Sequence, residues 1–300
     1  MNKLIDFLRE KNIDFEENVS GARLCSFQVG GNVRVVAYPR NLPQIESLYA
    51  YLSANGIKNI LLGRGSNIVI CDSGYDGAAV SLTKLEGIAV EGSSLTFVSA
   101  GASMFNMATT AQKHGLSGVE FAHGIPGSVG GAIYMNAGAY GGEMSQVVSQ
   151  VMCYDKEKGK IVEFDASECD FSYRHSVFQE NKNLIILFAR IELACGDPLE
   201  IRAKMDEYKA KRSASQPLEY PSAGSTFKRP VGHFAGKLIE DAGLKGYTVG
   251  GAQVSEKHAG FVINRGGATA TDIKDLVKHI QKTVKEKFDV ALECEIEFVE

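Results

Sequence analysis

Residues 124–143 read GIPGSVGGAIYMNAGAYGGE, seven glycines in twenty residues. Backbone this bare either approaches something closely or turns at positive φ. Pro126-Gly127 reads as a turn and Ser128 as a helix N-cap, so a short helix is expected to open at Val129. A helix start offers N–H groups and positive dipole charge, which suits an anion such as a diphosphate. Ile133, Tyr134 and Met135 are apolar enough to be partly buried, which disfavours a plain surface connection.

The chain has 300 residues, more than one hydrophobic core accommodates, so two or three domains are expected. A net charge of −4 without a basic block leaves no footprint for nucleic acid. A phosphate-bearing small molecule needs only a local group of cations. The six cysteines (Cys25, Cys71, Cys153, Cys169, Cys195 and Cys294) form no CxxC pair. That argues against a zinc site or a disulfide framework, so no metal is expected and a reducing cytosol fits. Asp6, Arg9 and Glu10 stand where a signal peptide is apolar, and the apolar run at 184–189 is too short to span a bilayer. A cytoplasmic enzyme without a membrane anchor is the expectation.

Leu4, Phe7 and Leu8 predict an amphipathic helix over the first dozen residues, and the alternation in NVRVVAY predicts a strand. A helix over 41–55 and short strands at 58–62 and 68–71 follow, with GRGSN between the strands. A Rossmann glycine turn runs into a helix and this one runs into a strand, so that fingerprint is excluded. No P-loop pattern is present either. A strand–glycine turn–strand still holds a diphosphate in a nest of N–H groups. Residues 78–100 are strand-rich, Ser103 caps a helix over 103–114, and QVVSQVMCYD, KIVEFD and LIILFARIEL read as strands. A helix over 199–212 precedes a proline-rich boundary, and two helical stretches flank GGAQVSEKHAGFVIN. The last segment, DVALECEIEFVE, alternates with period two and predicts a terminal strand.

Five separated stretches occur in order: GRGSN, the opening glycine segment, FSYRHSVF, PSAGSTFKRP and LECEIEF. Together with VSEKHAGFVIN and an N-terminal Val-Gly-Gly they resemble the UDP-N-acetylenolpyruvoylglucosamine reductases, in a compact subtype. The resemblance implies an α/β (α+β) fold: a two-lobed FAD-binding module of the vanillyl-alcohol-oxidase-like type plus a separate substrate-binding domain. The lobes expected are 1–77 and 78–205, the latter completed by 288–300, with substrate bound by 206–287. It implies noncovalent FAD, NADPH as hydride donor, a UDP-sugar substrate in peptidoglycan precursor synthesis, and a monomer. Cofactor contacts would come from Gly63, Arg64, Gly65, Ser66 and Asn67, and from Gly124, Ile125, Pro126, Gly127, Ser128, Gly130, Gly131, Asn136, Ala137 and Gly138. Cys25 and Gln28 stand where the family has Thr and Arg.

Three residues are implied as catalytic. Hydride addition to an enolpyruvyl ether leaves negative charge that spreads onto the adjacent carboxylate, so donors aimed there stabilise it. Arg174 offers a planar charged fork, Glu295 a hydrogen bond if protonated, and Ser225 a hydroxyl able to protonate C2. Taken alone, Arg174 reads more readily as half of a surface ion pair, Ser225 as a turn residue or helix cap, and Glu295 as one of three glutamates on a solvated strand face. Tyr173, Lys211, Arg212, Gly224, Lys228, Arg229 and His258 are implied as substrate contacts. The same scaffold also suits a sugar or hydroxy-acid oxidase, or a noncatalytic nucleotide-sugar-binding protein.

Overall fold

The computed structural model describes residues 1–300, which divide into two units. The first comprises Met1–Glu16, Val35–Arg64 and Gly77–Lys211; the second comprises Glu17–Arg34, Gly65–Asp76 and Arg212–Glu300. Residues 288–300, expected to complete the central lobe, group with the second unit.

In the first unit the helix Asn2–Glu10 buries Leu4, Ile5 and Leu8, while Phe7 stacks on Tyr51 with ring centroids 4.0 Å apart. The helix Leu42–Ala54 starts at Asn41, whose side chain accepts the Gln44 N–H. The strand Asn59–Leu62 pairs in parallel with residues 78–81, with Asn59 beside Ala78 and Leu62 beside Ser81. An antiparallel five-stranded sheet runs Lys160–Asp165, Val148–Asp155, Leu184–Glu192, Ser94–Ser99, Ile88–Glu91. Val151, Cys153, Leu187, Ala189 and Val98 place its inner face in the core. Ser103 caps the helix Met104–Lys113 as expected, and the helix after Asp197 extends over Pro198–Ser215.

Glu120 anchors the chain just ahead of the glycine segment. It is 3% exposed and accepts the Ser117 hydroxyl at 2.6 Å and the Gly118 N–H at 3.0 Å, with the Lys204 ammonium 3.7 Å away. Burial alone raises its carboxyl pKa, but those donors and Lys204 outweigh it and the net shift is downward. A depressed folded pKa contributes stability that is complete above the ordinary value of 4.5 and is lost as pH falls through the folded value. Glu120→Gln should therefore cost about 1.5–3 kcal/mol at neutral pH and make less difference in acid. Urea melts across pH check this; an equal cost at every pH would contradict the assignment.

The second unit is built on the helix Ala270–Phe288, which buries Ile273, Leu276, Val277, Ile280 and Val284. Its start is closed by a Thr269–Asp272 capping box. Asp72 also accepts the Ala270 and Thr271 N–H groups there, at 2.8 and 2.9 Å. The helix Ala235–Asp241 and a three-stranded sheet of Thr248–Val249, Ala252–Val254 and Val262–Asn264 complete its frame. The terminal segment departs from expectation, because regular strand covers only Glu297–Val299, parallel to Ile68–Ile70. Upstream, Leu292 and Ile296 are buried and Cys294 half-buried, but the backbone meets its neighbour at one bridge, Phe227 with Cys294. The period-two alternation there reports alternating burial without a continuous ladder. No helix is long and apolar enough to cross a membrane.

Candidate active site

Ser128 caps the helix Val129–Tyr134, as its sequence predicts. The N–H groups at this helix start all find partners within the chain. The Val129 and Gly130 N–H groups donate to the Ala102 and Ala100 carbonyls, both at 2.9 Å. Those of Gly131 and Ala132 go to the Ser128 side chain and carbonyl. The physical reason is close packing: a Cβ on Gly130 would lie 2.8 Å from that of Ala100. Several glycines serve the chain's own packing in this way. A Cβ on Gly138 would sit 2.5 Å from the Gly142 carbonyl oxygen, and one on Gly142 2.4 Å from the Phe121 ring.

The two glycine signatures nevertheless meet. A Cβ on Gly63 would stand 2.5 Å from Ser128 Oγ, so GRGSN begins against the cap of the glycine segment. Gly65 has φ of 66°, and its Cβ would be 1.8 Å from the Leu24 carbonyl oxygen. Arg64 pairs with Glu86 at 3.4 Å. The ring of His123, immediately before Gly124, is 92% buried and lies 4.7 Å from Phe105. Burial, helped by the Arg202 charge, lowers its pKa, which keeps the ring neutral. Its Nδ1 has no hydrogen-bond partner in the protein. A bare backbone at Gly63, bordered by Ser128, and an orphaned polar atom one residue before Gly124 fit a bound nucleotide cofactor. Near the N-terminus, Cys25 is buried with its thiol donating to the Val29 carbonyl, and Gln28 is exposed with φ of 57°. The departures from the family pattern therefore form a tight turn.

Arg174 is brought to the far end of the glycine segment. Its guanidinium donates to the Gly138 carbonyl at 3.0 Å and the Asn136 carbonyl at 3.5 Å, and lies 5.1 Å from the centre of the Tyr173 ring. Asn136 is fully buried at φ of 41°, with its amide donating to the Ser172 carbonyl and accepting the Ser145 N–H. Its side chain thus ties the glycine segment to the FSYRHS loop. Gln179 and Ser176 strengthen the same tie and carry no signal in the sequence that marks them for it.

In the second unit Ser225 and Glu295 are neighbours. The Glu295 N–H donates to the Thr226 carbonyl at 2.9 Å, and the Lys228 N–H to the Glu293 carbonyl at 2.9 Å. Glu295 is half-buried while Glu293 and Glu297 are exposed, so the solvated-face reading fails for Glu295 alone. Asn67 of GRGSN clamps this stretch: its amide donates to the Glu295 carbonyl at 3.0 Å and its carbonyl accepts the Glu297 N–H. Ser225 is exposed, between Gly224 at φ of 74° and a fully buried Thr226 whose hydroxyl accepts the Val262 N–H.

Lys228 pairs with Glu293 at 2.6 Å, Lys211 with Glu207 at 2.5 Å, and Arg229 lies 4.5 Å from the centre of the Phe234 ring. Arg212 is half-buried. His258 Nδ1 accepts the Gly260 N–H at 3.1 Å, which leaves the ring proton on Nε2. Burial lowers its pKa, so it is a neutral donor near pH 7.

The FAD-binding-domain model matches residues 33–165, and the model of the UDP-N-acetylenolpyruvoylglucosamine reductase C-terminal domain matches residues 216–299. The chain is thus a flavin-dependent oxidoreductase with a dedicated C-terminal domain. A UDP-N-acetylenolpyruvoylglucosamine reductase of Caldanaerobacter subterraneus subsp. tengcongensis is 48% identical, covering 100% of this chain and 97% of its own. One of Lactobacillus acidophilus is 46% identical, covering 97% of both. The crystal structure of the reductase from Thermus caldophilus matches with a TM-score of 0.81 at 30% identity, covering 96% of this chain and 99% of its own. The chain belongs to the UDP-N-acetylenolpyruvoylglucosamine reductase family.

Proposed function

We propose that the protein reduces UDP-N-acetylenolpyruvoylglucosamine to UDP-N-acetylmuramate, with NADPH as donor and noncovalent FAD as carrier, in peptidoglycan precursor synthesis. The observation that carries the reading is the pairing of Glu295 with Thr226, beside Ser225 and clamped by Asn67 of the flavin signature. Gly63 to Asn67 and Gly124 to Gly138 would hold the cofactor, with Ser128 and Gly63 at the point where these stretches meet. Bound FAD supplies hydride transfer from NADPH to C3 of the enolpyruvyl group.

Ser225 would give its hydroxyl proton to C2 on one face, setting the configuration there. Negative charge that spreads from C2 onto the substrate carboxylate would be met by the Arg174 fork. Glu295, held by its backbone beside Thr226, would donate to the same region from a protonated carboxyl. His258 Nε2 and Tyr173 would contact the sugar nucleotide. Lys211, Arg212, Lys228 and Arg229 would contact its diphosphate, with Lys211 and Lys228 leaving Glu207 and Glu293 to do so.

The substrate lobe would lie within 206–287. The six cysteines, all free, agree with the proposed cytoplasmic location, and the working unit is taken to be a monomer, which light scattering tests. Purified protein given NADPH and the enolpyruvyl sugar nucleotide should yield a product heavier by two hydrogens, formed mole for mole with the NADPH consumed. NADPH consumption without that product would overturn the reading, as would substrate-driven bleaching that dioxygen reverses.

A further inference from the structure

Arg174 occupies a backbone conformation that arginine rarely adopts, with φ of 54°. Left-handed backbone is unfavourable for residues bearing a Cβ, so it persists where the surroundings over-determine it. The surroundings here are specific. Ser172 and His175 form a β-bridge that closes a tight loop around Tyr173 and Arg174. His175 Nε2 lies 3.4 Å from Asp170 and 3.5 Å from Glu180, bracing the loop from both flanks.

One side chain grips the Arg174 peptide itself. The Gln179 amide nitrogen donates to the Arg174 carbonyl at 3.0 Å and to the Tyr134 carbonyl at 2.8 Å. A carboxamide has two N–H donors, one for each carbonyl. Tyr134 ends the helix that Ser128 opens, so Gln179 joins the Arg174 backbone to the glycine segment. Ser176 Oγ donates to the same Tyr134 carbonyl at 2.7 Å. The Arg174 guanidinium meets the carbonyls of Asn136 and Gly138, just past that helix. A shift of the Arg174 peptide relative to Tyr134 would therefore swing the fork away from its present direction.

We propose that Gln179 is a positioning residue for the reduction, fixing the Arg174 peptide so that its fork points where charge develops on the substrate carboxylate. This rests on the role given to Arg174 above. Gln179 touches no reacting atom; it acts through Arg174. Misplacing a positioned group by about 1 Å costs on the order of 100-fold in rate.

The test is anaerobic stopped-flow of both half-reactions on the flavin-loaded protein. The variants are Gln179→Leu, Gln179→Lys, Arg174→Ala and the Gln179→Leu/Arg174→Ala pair. Gln179→Leu should slow reoxidation by the enolpyruvyl substrate about 10- to 100-fold while bleaching by NADPH keeps its rate. Gln179→Lys, which restores donors on a flexible stem, should recover part of the loss. In the Arg174→Ala background, Gln179→Leu should cost nothing further, because the group it positions is gone. Normal reoxidation in Gln179→Leu, or additive losses in the pair, overturns the positioning role and leaves that of Arg174 intact. Normal reoxidation in Arg174→Ala overturns both. If Gln179→Leu does not fold, Gln179→Lys alone and combined with Arg174→Ala gives the same comparison.

Discussion

Ser225→Ala should bleach under NADPH at the wild-type rate and then fail to recover its colour when the enolpyruvyl sugar nucleotide is added anaerobically. Passing hydride from NADPH to the cofactor requires no proton at the substrate, whereas the second half-reaction requires one at C2. Loss of a positioned acid is commonly worth about 100- to 10,000-fold. Ser225 is exposed, so removing its hydroxyl disturbs little packing, and the buried Thr226 beside it keeps the local frame through Val262 and Glu295. Flavin content and melting temperature should accordingly stay close to wild type. Ser225→Cys retains a proton donor and should fall between the two. Reoxidation of Ser225→Ala at the wild-type rate would reduce Ser225 to a turn residue.

Arg174→Lys should lose about 100-fold or more in the oxidative half-reaction although the charge is kept. The guanidinium spans the carbonyls of Asn136 and Gly138, and a planar fork of that width has no counterpart in an ammonium on a flexible stem. NADPH-driven bleaching should be untouched. Equal losses in both half-reactions would mean that the substitution damages the cofactor site, and unchanged turnover would remove the charge-stabilising role.

Much of the frame was legible because local chemistry and burial agreed. Ser103 and Ser128 cap the helices their types predict, and the alternation in NVRVVAY and the apolar run of LIILFARIEL mark strands with buried side chains. What stayed illegible has one cause: a pattern in sequence does not reveal which backbone partner is near. The N–H groups at Val129 and Gly130 have the dipole and spacing of an anion site, but the strand-end carbonyls of Ala100 and Ala102 occupy them. Glu295 looked like one of three solvated glutamates until Asn67 and Thr226, more than sixty residues away, held its backbone.

Asn67 and Asn136 fall within the glycine signatures, and the folded chain gives their amides a second task, holding Glu295 and the FSYRHS loop. Gln179 could not be read at all, since its importance lies in two carbonyls that only the folded chain brings within 3.0 Å of one amide. Family resemblance carried the catalytic residues through this gap; spacing alone would not have selected Ser225 over any other turn serine.

The central claim is that one flavin, held by these signatures, passes electrons from NADPH to an enolpyruvyl sugar nucleotide. An anaerobic titration followed through the flavin absorbance tests it most directly. The account predicts a yellow protein that NADPH bleaches and UDP-N-acetylenolpyruvoylglucosamine recolours mole for mole, with UDP-N-acetylmuramate formed in equal amount. A bleached protein that stays colourless with that substrate, and recolours only when dioxygen is admitted, would contradict it.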